Sequence, residues 1–357
     1  MKKIIFVAGD KSGDLLAGKL CEKLKKIYRE KLVIFSFAGS ILAKHSLLLF
    51  NLVDHSVSGL WEAASQFFKF FRIFNYVLSE IRKIKPDLII LVDFPEFNLR
   101  LAKALNHQFK IFYYISPQIW AWRKKRIKAI KRYIDKMIVI FEFEKDIYLK
   151  NNIKVHYFGH PLLDIIPHAS TASKNRIVFL PGSRKNEIRI HLPLVLSTKK
   201  ILEKALKDYE FIVVRPPDIP STFYPSQIKT CPHSYQILKE SKFILTSSGS
   251  ATLEATIMEI PFLIFYKLNR LSYLLLRKMV NINFIGMPNI IANKKVVEEF
   301  IQRKATPSNL AKYTLEVIQH PSKYEEVKKN LRKVKEILKP CHSLENTALF
   351  IGRELGL

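Results

Sequence analysis

The chain has 357 residues, too many for one typical domain and enough for two, each with its own core. Its 59 Lys and Arg against 31 Asp and Glu give a formal net charge of +28, which favours nucleic acid, anionic membrane or phosphorylated partners. The widely spaced Cys21, Cys231 and Cys341 exclude a disulfide framework and a cysteine-ligated metal, and read as free thiols in a reducing compartment.

From the N-terminus, MKKIIFVAGD has too short an apolar run for a signal peptide and fits a first strand, Ile4 to Val7. The loop Gly9-Asp10-Lys11-Ser12-Gly13-Asp14 follows, opening a helix from Leu15 to Ile27. It matches neither GxGxxG nor the Walker pattern, so neither a dinucleotide nor a P-loop is supported. A strand Leu32 to Phe37 precedes a long helical segment, about Ser58 to Arg82, with two adjacent apolar stripes. Leu60, Trp61, Ala64, Phe67, Phe68, Phe71 and Leu78 form one stripe; Ala63, Phe70, Ile73 and Val77 form the other. One stripe docks a helix on a sheet, and the excess, bordered by Lys69 and Arg72, reads as a surface for lipid headgroups or acyl chains, or else as a helix buried on both sides.

Leu88 to Val92 is a continuous apolar strand ending in Asp93, which puts a carboxylate where active sites of parallel sheets gather. A carboxylate beside apolar walls has its pKa raised toward that of a general base. Glu96 and Asn98 are the neighbouring polar groups. The alternation continues with a helix Leu99 to Asn106, a strand Ile111 to Ile115, a basic helix Ala121 to Tyr133, a strand Met137 to Phe141, a helix Glu144 to Asn151 and a strand Val155 to Phe158. Polybasic runs lie beside aromatics, Arg123 to Arg132 after Trp120 and Trp122, and Arg270, Arg277 and Lys278 around Tyr273 to Leu276. They suit an anionic membrane surface. No helix-turn-helix, RNP or zinc pattern accompanies them, so no nucleic acid partner is expected.

Between Gly159 and Lys174 the pattern lapses, giving domains at 1–165 and 166–340 and a last helical segment, 341–357. In the second half, strands are expected near Ile177, Phe211, Ile228, Phe243, Phe262 and Ile282, then helices Ser308 to Ile318, Tyr324 to Leu338 and Ser343 to Leu355. RIVFLPGSR ends in an open turn where Arg184 supplies a forked cation. FILTSSGSATLE runs from strand through a small hydroxyl-rich turn into a helix, a place for a phosphate or diphosphate with Glu254 toward a ribose, or an ordinary Ser-capped turn. Alternating strands and helices predict an α/β fold of two Rossmann-like domains facing across a cleft.

AGDKSGD (8–14), DFPEFN (93–98), YISPQIWAWRKKR (114–126), FGHPLLD (158–164), LPGSR (180–184), SSGSATLE (247–254) and MPNIIA (287–292) together resemble the lipid A disaccharide synthase family over nearly the whole chain. The resemblance implies an inverting GT-B glycosyltransferase with no cofactor and no essential metal, peripherally bound at the cytoplasmic face of the inner membrane. It would join UDP-2,3-diacylglucosamine to 2,3-diacylglucosamine 1-phosphate, giving a β(1→6) disaccharide and UDP. It implies Asp93 as general base and Arg184 beside the donor diphosphate. Ser183, Ser248, Gly249, Ser250, Thr252, Glu254, Pro288 and Asn289 would form the nucleotide site. Ser12, Gly13 and Asp14, with Asn98, would line the acceptor side. Asp10 stands where Glu is usual, and Ser250 where Thr is common. The resemblance also implies a last helix returning to the first domain, and allows a homodimer. The rival readings are another GT-B enzyme, either a peptidoglycan N-acetylglucosaminyltransferase or a UDP-N-acetylglucosamine 2-epimerase, and a non-catalytic anion-binding membrane or RNA protein.

Overall fold

The computed structural model describes residues 1–55, 64–167, 173–269 and 283–357. They form two compact units: Met1–Ile165 with Leu338–Leu357, and Ile166–Ile337.

The first unit is built on a parallel sheet with strand order β3-β2-β1-β4-β5-β6-β7. Its strands are β1 Lys2–Ala8, β2 Leu32–Ala38, β3 Leu47–Asn51, β4 Leu88–Val92, β5 Ile111–Tyr114, β6 Lys136–Val139 and β7 Val155–Tyr157. β4 is buried at every position, as a strand covered on both faces must be. Helices Lys11–Tyr28, Ala64–Ile84, Pro95–Leu105, Arg126–Tyr133 and Phe143–Leu149 connect the strands. The basic helix opens at Arg126, five residues later than its expected start at Ala121, because the segment carrying Pro117 and both tryptophans is a run of turns. The strand expected near Ile228 is the edge strand Lys229–Pro232, and the one expected near Ile282 lies outside the described residues.

The second unit repeats the design in the order β10-β9-β8-β11-β12-β13. These strands are β8 Arg176–Leu180, β9 Glu210–Arg215, β10 Lys229–Pro232, β11 Phe243–Thr246, β12 Phe262–Tyr266 and β13 Glu299–Ile301. Ile177, Phe179, Phe243, Leu245, Leu263 and Phe265 are fully buried in one core.

The helix Ser343–Glu354 packs against Lys11–Tyr28 in the first unit. Asp164 holds its start, accepting from the backbone N–H of His342 and of Leu344, both at 2.8 Å. Ser343 donates to the Gly159 carbonyl at 2.7 Å. Gly159 has φ +91°, and a Cβ there would lie 1.8 Å from the Pro340 carbonyl oxygen, so only glycine lets the two backbones meet. Gly159→Ala is therefore expected to destabilise the first unit by about 2–4 kcal/mol. Urea denaturation followed by near-UV circular dichroism reads this, and an unchanged midpoint contradicts it.

Candidate functional site

In an open parallel sheet, neighbouring strands whose connections run to opposite sides leave a crevice beyond their carboxyl ends. In the first unit that point lies between β1 and β4, where Ala8 pairs with Val92. Asp10 follows one strand and Asp93 the other. A Cβ at Gly9 would sit 2.2 Å from the Phe94 ring, so glycine admits the ring that flanks Asp93.

Asp93 and Phe94 both have left-handed backbone, with φ 40° and 45°. This kink between strand and helix is fixed from below. The Asp93 carbonyl accepts from the Tyr113 hydroxyl at 2.5 Å and from Asn98 Nδ2 at 2.8 Å, while Asn98 Nδ2 also reaches the Val92 carbonyl at 3.1 Å. Asn98 is fully buried and its Oδ1 has no partner among the described residues, so it positions Asp93 from inside and does not line an open acceptor surface. The Asp93 carboxyl is pushed up to about 7, first by burial and next by the charge of Asp10, with Arg126 opposing.

Asp10 caps the helix that follows β1, its Oδ1 accepting from the Gly13 N–H at 2.7 Å and from the Ser12 hydroxyl at 2.8 Å. Ser12 is exposed and Gly13 buried beneath it. Asp14 is not a lining residue. It is 3 % exposed, and its carboxylate accepts from the N–H groups of Gly39, Ile41 and Leu42 at 2.8, 3.0 and 3.2 Å, holding the start of the helix Ser40–Ala43. Its partners lie far along the chain, out of reach of a local reading.

Sequence reasoning also missed a buried group at the ends of β5 and β6. There the Ser116 and Tyr148 hydroxyls are 2.5 Å apart, and burial pushes Glu144 up to about 8. The signal was a glutamate directly after the aromatic pair Phe141 and Phe143.

In the second unit the corresponding point lies between β8 and β11, where Leu180 pairs with Thr246. Ser183 and Arg184 follow β8, exposed, and Arg184 makes no ion pair among the described residues. Glu187 folds back to accept from the Ser183 N–H at 3.0 Å. After β11, Gly249 and Ser250 are exposed at the start of the helix Ser250–Ile257, whose amide groups favour an anion. Ser248 donates to the Ile285 carbonyl at 2.7 Å. Thr252 is buried and its hydroxyl donates to the Gly249 carbonyl at 2.7 Å, so it shapes the turn and offers nothing to a ligand.

Asn289 is likewise committed. It is fully buried, accepts from the N–H groups of Val296 and Val297, and donates to the Val297 carbonyl and to Glu299. Glu299 also accepts from the N–H groups of Ile285 and Gly286. Pro288 is buried beside them. This polar knot builds the loop that meets Ser248, and does not itself face outward.

Glu254 is 7 % exposed, and its Oε2 lies 2.7 Å from His233 Nε2, a partner the sequence did not suggest. Burial alone would depress the His233 pKa, but the hydrogen bond and charge of Glu254 raise it above its ordinary value. Among the described residues the other Glu254 oxygen, Oε1, accepts no hydrogen bond.

On the helix Ala64–Ile84, Phe68 and Phe71 are 74 % and 48 % exposed, while Val77 and Ile81 are fully buried. Phe70 turns inward, edge-on to Phe97 with centroids 5.6 Å apart, because the inner stripe has to cover the sheet. Leu60 and Trp61 lie outside the described residues, as do the side chain of Phe67 and the basic cluster at 270–278. A small apolar pocket lined by Leu52, Phe70, Ile73, Phe94 and Phe97 sits under this helix, sharing Phe94 with the Asp93 kink.

A family model described as Lipid-A-disaccharide synthetase matches residues 4–350. Lipid-A-disaccharide synthase 1 of Legionella pneumophila strain Lens is 36 % identical, over 94 % of this chain and 93 % of its own length. The Persephonella marina synthase is 33 % identical over 100 % of both. Among solved structures, the UDP complex of MnaA from S. aureus has a TM-score of 0.68 at 14 % identity, covering 100 % of this chain and 98 % of that one. The UDP-GlcNAc 2-epimerase of Neisseria meningitidis bound to UDP-GlcNAc has a TM-score of 0.62 at 13 % identity, with 99 % of each chain covered. These likenesses show the fold, two Rossmann-like domains of the GT-B class.

His191 ties the loop after β8 to the one after β12. Fully buried, it donates from Nδ1 to the Pro181 carbonyl at 2.6 Å, and its Nε2 accepts from the Lys267 N–H at 2.9 Å. Only the neutral ring does both, and burial holds its pKa below the ordinary value. The stability it contributes is complete above the unfolded imidazole value, ~6.5, and is lost as pH falls through the lower folded value. Urea midpoints are expected to drop on acidification below about pH 6.5, and His191→Gln to flatten that slope. An identical slope in the variant contradicts this.

Proposed function

The chain belongs to the lipid-A-disaccharide synthase family, and from that premise we propose how its two units divide the joining of two acylated glucosamines. It is a glycosyltransferase that uses a UDP-sugar. Full-length kinship with the synthases sets aside the epimerase reading, since the epimerases share only the fold.

In the proposed reaction the Asp93 carboxylate takes the proton of the acceptor 6-hydroxyl as its oxygen attacks the anomeric carbon of UDP-2,3-diacylglucosamine. The bond to the β-phosphate oxygen breaks on the opposite face, so UDP leaves and the new linkage is β(1→6). Arg184, the exposed amides at Gly249 and Ser250, and Ser183 meet the charge on the departing diphosphate. Oε1 of Glu254 receives a ribose hydroxyl. The acceptor is 2,3-diacylglucosamine 1-phosphate.

The observation that carries this reading is Asp93 itself. A carboxylate needs a pKa near the working pH to serve as a base, and burial with the like charge of Asp10 raises Asp93 to about 7. Because the base works deprotonated, activity is expected to rise as pH climbs through that value. Asp10→Asn keeps the helix cap but removes the repulsion, so the acid limb is expected to move to lower pH. Asp93→Asn is expected to lower kcat by about 10²–10⁴-fold with UDP affinity retained. A pH–rate profile of disaccharide formation with UDP titrations checks all three; full activity in Asp93→Asn defeats the assignment.

Both substrates carry acyl chains. Exposed Phe68 and Phe71, with exposed Leu47 and Leu48 on β3 and the basic Lys69 and Arg72, support peripheral attachment to an anionic membrane surface, at the cytoplasmic face of the inner membrane. No described helix is long and apolar enough to cross a membrane. Burying a Phe side chain is worth about 1.5–3 kcal/mol, so Phe68→Ala with Phe71→Ala is expected to weaken binding to anionic vesicles at least about tenfold in a flotation assay. Undiminished binding places the attachment elsewhere.

A further inference from the structure

Proton transfer to Asp93 leaves two arginines of the same unit without a task. Arg123 lies in the turns after β5, and Arg126 opens the helix Arg126–Tyr133. Both donate to a single oxygen, Oε1 of Glu96, which stands on the first turn of the helix that begins just after Asp93. Trp122 lies against both guanidinium groups, with its ring centroid 4.6 Å from one and 5.0 Å from the other. The indole face favours the cations and limits their movement. Arg126 has only 10 % of its side chain exposed and acts on the charge of Asp93. Arg123 holds φ 52°, a conformation uncommon for a bulky residue.

The charge count is lopsided. Two guanidinium groups share one carboxylate, and Lys124, Lys125 and Lys128 stand exposed alongside. Each guanidinium has five N–H donors. Among the described residues one donor of each is engaged, by Glu96. A pair of planar forks, each with most of its donors open and fixed against an aromatic ring, is suited to a tetrahedral dianion, which accepts from several donors at once.

We propose that Arg123 and Arg126, held against Trp122, bind the phosphate monoester of the acceptor sugar. This rests on the reading of Asp93 as the base for the acceptor hydroxyl. A hexose 1-phosphate carries its phosphate and its 6-hydroxyl at different corners of one ring. An anion site on the helix turn beyond Asp93 therefore fixes which hydroxyl the base meets. Glu96 keeps the two forks together and aimed, and the phosphate takes the donors that Glu96 leaves open. Selectivity for a phosphorylated acceptor, and for the 6-position over the ring hydroxyls, then has one cause.

The test compares kcat/KM for the diacylated glucosamine with and without its 1-phosphate, at saturating donor, in wild type, Arg123→Gln, Arg123→Lys and Arg126→Gln. Wild type is expected to favour the phosphorylated acceptor by about 100-fold. Arg123→Gln is expected to cut that ratio at least about tenfold, chiefly through KM, and Arg123→Lys to restore part of it, since charge returns without the fork. Arg123 is half exposed, so its variants are expected to keep the wild-type melting temperature. A ratio unchanged in both glutamine variants, or a wild type indifferent to the phosphate, overturns the proposal. A wild type that makes disaccharide from neither acceptor defeats the underlying reading instead, and the two failures are told apart by whether product forms at all.

Discussion

The structure depends on where a parallel sheet reverses its strand order. Between β1 and β4, and again between β8 and β11, the chain leaves neighbouring strands toward opposite sides, and the backbone groups beyond the strand ends have no ladder to join. What fills those two openings differs in sign. In the first unit two carboxylates, Asp10 and Asp93, share one end beneath apolar walls, so that one of them holds its proton near neutral pH. In the second, an arginine without an ion partner among the described residues follows β8, and the start of a helix follows its neighbour β11. One opening favours a proton acceptor and the other a diphosphate.

Neither opening keeps its shape unaided. The left-handed kink at Asp93 and Phe94 is costly backbone, and it persists because Tyr113 and Asn98 both donate to the Asp93 carbonyl. In the second unit, His191 joins the Pro181 carbonyl to the Lys267 amide, while Asn289 and Glu299 take up four backbone N–H groups between them. Buried polar side chains are expensive unless paired, so these hydrogen bonds offset the burial while they hold the loops rigid.

The two-unit α/β fold was legible because strands buried on both faces read as unbroken apolar runs, and β4 and β11 stand out in that way. The edge strands β3 and β13 did not: the apolar run Leu47 to Phe50 of β3 cannot be told from a buried helix segment by periodicity, and β13 has only three residues. The positions of Asp93 and Arg184 just beyond β4 and β8 were legible. The roles of Asp14, Asn98, Thr252 and Asn289 were not, because a small polar residue beside a ligand loop looks the same in sequence whether it faces the ligand or holds the backbone behind it. Only the hydrogen-bond partners separate the two, and for Asp14 these lie 25 to 28 residues away. Phe70 shows the same limit on a helix: apolar spacing marked two stripes but could not say which one the sheet would claim.

A nucleotide site and a base would serve many sugar transferases; what narrows the reading is the outward aromatic surface at Phe68 and Phe71 together with the phosphate-seeking arginines beside Asp93. In the proposed reaction both meet the lipid substrates, and both belong to the first unit. The most direct measurement incubates the purified protein with UDP-2,3-diacylglucosamine and 2,3-diacylglucosamine 1-phosphate, then follows UDP and the acylated disaccharide by mass spectrometry. Equal amounts of UDP and β(1→6) disaccharide, with no turnover of UDP-N-acetylglucosamine lacking acyl chains, are the predicted result. Equally rapid turnover of the unacylated donor, or UDP release without a disaccharide, would contradict it.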